Sequence, residues 1–155
     1  MNTAKIRWDR EQALREMQRW CSTQERSHMD VRTKLIEHQV YGDILEEILA
    51  DLISENFLNE MRYASAYVSG KFKINEWGRI KIIAGLKQKN ISLKIITKAI
   101  SEIDEHMYLK TLEKLYQNKK QLLKPKSLQD KQRLMNYLLQ KGFEQHLIFE
   151  IMNKP

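Results

Sequence analysis

Cysteine occurs once, proline twice and glycine five times in this chain of 155 residues. The lone cysteine, Cys21, excludes an internal disulfide and a cysteine-built zinc site, and it suits a reducing compartment. So few glycines and prolines leave little room for the frequent tight turns of sandwiches and barrels. No uninterrupted apolar run approaches the ~18 residues that a membrane helix needs. The opening residues, MNTAKIRWDREQ, hold no apolar core of a signal peptide. These absences predict a soluble, cytoplasmic protein with no membrane partner. A Gly-rich phosphate loop is also missing, and no nucleophile has a plausible base and orienter.

What is present is helical. Hydrophobic residues make up 42% and charged residues 30%, enough apolar material for a folded core. Apolar spacings of three and four recur where strand alternation is scarce, which predicts an all-α protein. The formal charge of +7 is unevenly spread. Residues 1–52 are slightly acidic, and the basic excess belongs to the latter two thirds. Between Arg62 and Lys98 stand nine basic residues and one acid, Glu76. That asymmetry fits a polyanion or an acidic protein surface as partner, with a solvated basic face as the alternative.

The chain also repeats itself at a spacing near 51 residues. LLQKGFEQHLIFEIM (138–152) aligns with LKQKNISLKIITKAI (86–100), and that in turn with LIEHQVYGDILEEIL (35–49). Val31, Ile82 and Leu134 correspond, as do Leu35, Leu86 and Leu138, then Val40, Ile91 and Phe143, then Ile44, Ile95 and Leu147. In each copy the last helix carries apolar residues on one face, at 44/45/48/49, 95/96/99/100 and 147/148/151/152. Each copy opens with a further helical stretch: Asp9 to Ser22, Asn59 to Phe72 and Glu105 to Gln121. The pattern predicts three tandem three-helix units in an elongated, curved array, covering 1–57, 58–104 and 105–155, with the tail closing the third. Asn90 and Gly142 tolerate the left-handed conformation of a helix C-cap, whereas Gln39 fits it less well. Asn75, Ser92 and Ser127 are placed as N-caps.

Four segments in this order resemble the RecX family, bacterial regulators of the RecA recombinase. They are RSHMDVRTKL (26–35), ENFLNEMRYASAYV (55–68), WGRIKIIAGLKQKNI (77–91) and LLQKGF (138–143). Gln39 and Asn90 replace the family's glycine at two of three breaks, and Asp30 stands for its usual glutamate; these departures touch caps and packing. The resemblance implies a non-enzymatic modulator that binds the RecA–DNA filament across several protomers. It would inhibit filament growth, strand exchange and co-protease activity, in DNA repair, recombination and the SOS response. It implies no cofactor, and a monomer is expected.

Candidate partner- or phosphate-binding residues follow from charge and exposure. Arg62 contacts filament or phosphate, or else forms an interhelical salt bridge with Glu55 or Glu60. With a helix starting near Asn75, Ile80, Ile82, Ile83 and Leu86 make its buried stripe and Trp77, Lys81 and Gln88 face away. Trp77 is then an interface anchor with Lys81 stacked on it, or it folds back on Phe72. Lys71, Lys73, Arg79, Lys81, Lys87 and Lys89 form most of the central basic cluster, and Lys119 and Lys120 continue it. Lysine positions phosphates without reading bases, so any DNA contact is weak, sequence-independent and salt-sensitive. The alternative is a helix-turn-helix DNA-binding protein without a recombinase partner. Its reading helices, DILEEILADL, SLKIITKAISE and EQHLIFEIMN, present no convincing face to base edges. The pairs Glu102/His106 and His146/Glu150 are too few for a zinc site. No catalytic or metal-binding residue is expected.

Overall fold

The computed structural model describes residues 5–124 and 126–155. Among them are nine helices and no strand. The first unit holds α1 (Arg10–Thr23), α2 (His28–Glu37) and α3 (Gly42–Ser54). The second holds α4 (Glu60–Lys73), α5 (Arg79–Gln88) and α6 (Leu93–Ile100), and the third α7 (Glu105–Leu123), α8 (Leu128–Gln140) and α9 (Gln145–Met152). In each unit the last helix packs on the two before it. The three-helix array read from the sequence is the fold.

Local chemistry sets the helix boundaries. Asp9, Asn59, Ser92, Asp104 and Ser127 each accept a backbone N–H from the first turn of the helix they precede. Ser27 and Asp30 form a reciprocal capping box on α2. Asn75 does not cap a helix. The chain leaving α4 takes one more left-handed residue, Glu76 at φ +57, and Trp77 N–H bonds back to the Lys71 carbonyl at 3.0 Å. The next helix is thereby delayed to Arg79, with Gly78 as its cap. The delay also turns Ile80 outward, 54% exposed, while Ile82 and Leu86 are fully buried.

The three breaks share one solution. Gln39, Asn90 and Gly142 have φ of 62°, 59° and 99°. In each, the next residue's N–H reaches back to the helix: Val40 to Leu35 at 2.9 Å, Ile91 to Leu86 at 3.2 Å and Phe143 to Leu138 at 3.3 Å. These are Schellman motifs, and every one carries its apolar contact, because all six residues are buried. The hydrogen bonds and the contact hold glutamine in a conformation that glycine adopts more readily.

Apolar burial divides the array unevenly. Ala13, Met17, Val31, Leu35, Ile48 and Leu52 centre the first unit's own core, which also takes in Leu58. Units two and three share a single core, with Tyr108, Leu112, Leu134 and Phe143 joined to Ala64, Ile82 and Leu86. The molecule exposes 10218 Å². A globular monomer of this mass exposes about 8,200 Å², so the array is extended. Cys21 lies inside the first core, and burial pushes its thiol up to about 11, far from nucleophilic at neutral pH.

Candidate partner interface

Two junctions decide which basic residues are available to a partner. Between units two and three the N-terminus of α5 abuts the C-terminus of α8. Gly78 N–H donates to the Lys141 carbonyl at 2.7 Å, and Ile80 N–H to the Gly142 carbonyl at 3.0 Å. Unpaired amides of one helix thus satisfy unpaired carbonyls of the other. The approach is so close that a Cβ on Gly78 would lie 2.3 Å from the Gly142 carbonyl carbon.

Arg79 locks this junction. Its backbone N–H donates to the Tyr108 hydroxyl at 3.0 Å, and its guanidinium lies 3.8 Å over the Tyr108 ring. Its Nη1 bonds Glu144 Oε2 at 2.7 Å, and Nη2 pairs with Glu105. The Tyr108 hydroxyl donates to the other Glu144 oxygen. Burial, together with that bond to a carboxylate, pushes the Tyr108 hydroxyl well above the ordinary tyrosine range, so it stays a donor. Phe72 stacks on Tyr108 beneath, and Phe143 packs tilted against the same ring, with centroids 5.8 and 5.2 Å apart.

The junction between units one and two is polar instead. Arg62 Nε pairs with Glu25 at 2.5 Å, and its other nitrogens donate to Asn56 and to the Phe57 carbonyl. His28 meets Glu60 at 2.7 Å, and Lys89 meets Asp30 at 2.6 Å. Burial acts to raise the Asp30 carboxyl, but the Lys89 ammonium and the Ser27 amide outweigh it and hold the group below the usual carboxylate range. A depressed pKa means that Asp30 stabilises fully above its unfolded value of about 3.9 and less as pH falls through the folded value. Urea midpoints measured from pH 6 toward pH 3 are therefore expected to fall less steeply for Asp30→Asn than for the parent. Parallel curves would remove Asp30 from the acid sensitivity.

The residues singled out from the sequence thus divide. Arg62, Arg79 and Lys89 sit in these intramolecular ion pairs, and Arg62 takes Glu25 rather than Glu55 or Glu60. Lys71, Lys73, Lys81, Lys87, Lys119 and Lys120 stand in no ion pair among the described residues. Trp77 is half-buried against the shared core, with the Lys71 and Lys81 ammoniums 4.7 and 4.3 Å from its ring centroid. Lys119 lies over Tyr137 and Lys120 over Tyr116. Rings under these lysines hold the ammoniums in place while leaving them unneutralised. The first unit, although net acidic, carries a cation–ring cluster that its overall charge conceals: Arg26 and Lys34 lie 4.0 and 5.6 Å from the Trp20 ring centroid.

Among the described residues no cluster of His, Cys, Asp and Glu could hold a metal, and no helix is long and apolar enough to cross a membrane. Fold and surface together define a tandem array of three-helix units with lysines held over aromatic rings on its second and third units. Models of the RecX second and third three-helix domains match residues 59–100 and 106–152, more than half of the chain. The chain belongs to the RecX family. A Regulatory protein RecX of Streptococcus uberis is 36% identical over 134 residues, covering 83% of this chain and 50% of the relative. That of Bacillus cytotoxicus is 28% identical over 130 residues, 83% of this chain and 48% of the relative. The chain spans about half the length of such relatives. The crystal structure of RecX from Lactobacillus salivarius superposes with a TM-score of 0.82 at 22% identity, over 92% of this chain and 94% of that one. A second RecX crystal structure gives 0.83 at 23% identity, over 94% and 72%.

Proposed function

We propose that this protein is a non-enzymatic, cytoplasmic regulator that binds the RecA–DNA filament as a monomer. There it inhibits filament growth together with recombinase and co-protease activity, and so modulates DNA repair, recombination and the SOS response. The observation that carries this reading is membership of a family whose named relatives are regulatory proteins. The geometry supports it in two ways. An extended array offers many weak contacts in a row, and a repeated surface gains avidity on a repeated filament. Lys71, Lys73, Lys81 and Lys87 on the second unit, with Lys119 and Lys120 on the third, supply cations free to meet an acidic groove, and Trp77 supplies the ring that holds two of them.

The test is RecA-catalysed ATP hydrolysis on single-stranded DNA with this protein titrated well below one per protomer. Inhibition is expected at such ratios, alongside no effect on a non-recombinase ATPase. No inhibition at any ratio, with ordinary salt-sensitive DNA binding, would favour a DNA-binding protein without a recombinase partner.

A further inference from the structure

The polar junction between units one and two leaves an open cleft of about 490 Å³, lined on one side by Trp20 and Arg26 and on the other by Tyr67, Lys71 and Lys89. A second hollow, of about 480 Å³, shares Trp20, Asp30 and Lys89 with it and adds Lys34. Cations and rings alternate across this surface. The Arg26 guanidinium lies 4.0 Å from the Trp20 ring centroid and Lys34 Nζ lies 5.6 Å from it. Lys71 Nζ lies 5.5 Å from Tyr67 and 4.7 Å from Trp77, and Lys81 Nζ 4.3 Å from Trp77.

Charge balance separates these cations from their neighbours. The acids around the cleft are each already matched: Asp30 by Lys89, Glu25 by Arg62 and Glu37 by Lys5. Arg26, Lys34, Lys71 and Lys81 have no acidic partner among the described residues and are all partly buried against rings. Four cations are therefore ordered before any ligand arrives, which lowers the entropy cost of binding.

We propose that this cleft binds a single strand of nucleic acid, its phosphates along Arg26, Lys34 and Lys71, with Lys81 beyond Trp77 outside the lining, and its bases against Trp20, Tyr67 and the Arg26 guanidinium. Alternating cations and aromatic rings is the arrangement that holds unpaired strands without reading sequence. A duplex has no exposed base faces for the rings and is too wide for a cleft of this size. An acidic peptide would use the cations but give the rings nothing to stack. The inference deepens the filament reading by giving the sequence-independent nucleic-acid contact a place, and it needs no recombinase to be tested.

Anisotropy of a fluorescein-labelled oligothymidine should report binding by the full chain that weakens steeply with salt. Arg26→Ala with Lys34→Ala should weaken it at least tenfold. Trp20→Ala should weaken it about 5- to 150-fold, the usual range for a lost base-stacking ring, while Trp20→Phe should largely restore it. Unaltered binding by the Arg26/Lys34 variant overturns the proposal, as does displacement by polyglutamate or by a duplex as effective as by unlabelled oligothymidine. Because the recombinase is absent, failure here leaves the ATPase result standing. Conversely, strand binding without ATPase inhibition removes the filament reading alone.

Discussion

Replacing Phe143 by alanine is expected to lower the unfolding free energy by about 3–5 kcal/mol, the usual cost of deleting a buried phenylalanine. Its side chain is fully buried, and three independent features meet at it. It closes the Schellman turn after α8, it packs tilted against the Tyr108 ring, and it belongs to the core that units two and three hold in common. Loss of the ring therefore leaves a void at the base of the Arg79–Tyr108–Glu144 lock as well as in the third unit. The first unit has its own apolar core and meets the second through ion pairs, so it should feel the change least. Hydrogen exchange should show protection lost across α4 to α9 and kept in α1 to α3. A loss below about 1 kcal/mol, or equal exposure of all nine helices, would refute the division into two cores.

That division was not legible in the sequence, although the repeat was. Correspondences such as Leu35, Leu86 and Leu138 are set within each unit, where helix periodicity and cap chemistry act over a few residues. They survived even where Gln39 replaced a glycine, because the pair flanking each break stays apolar and buried. Contacts between units obey no period. Gly78 meets Gly142, Arg79 meets Glu144 and Lys89 meets Asp30 across some 60 residues, with no local pattern to announce them. Three of the basic residues picked out by charge alone were thus already paired inside the molecule. The start of α5 was misplaced for a related reason. Asn75 is a good cap in isolation, but Gly78 and Ile80 are drawn to the carbonyls of Lys141 and Gly142, which fixes the helix start from outside the unit.

Converting Lys71, Lys73 and Lys81 together to glutamate should raise the concentration needed for half-inhibition of the recombinase ATPase by tenfold or more. None of the three holds an acidic partner among the described residues, so their removal orphans no buried carboxylate. What the fold loses is the cation–π contacts of Lys71 with Tyr67 and of Lys71 and Lys81 with Trp77, about 0.5–1 kcal/mol each at exposed sites. Helix content should therefore be retained, and circular dichroism of the variant gives that control. On the filament reading proposed above the interface loses more, because each change would replace an attraction by a like-charge repulsion against an acidic groove. Two comparisons assign the effect. Reversal of Lys119 and Lys120 on the third unit removes the same kind of charge elsewhere, so a smaller loss there would centre the contact on α4 and α5. Inhibition by the parent should also weaken as salt rises, and the variant should show a shallower salt dependence because fewer charges are screened. Full inhibition by the triple variant at parental concentrations would take these three lysines out of the mechanism and leave Lys87 and the third unit's basic residues as the remaining candidates.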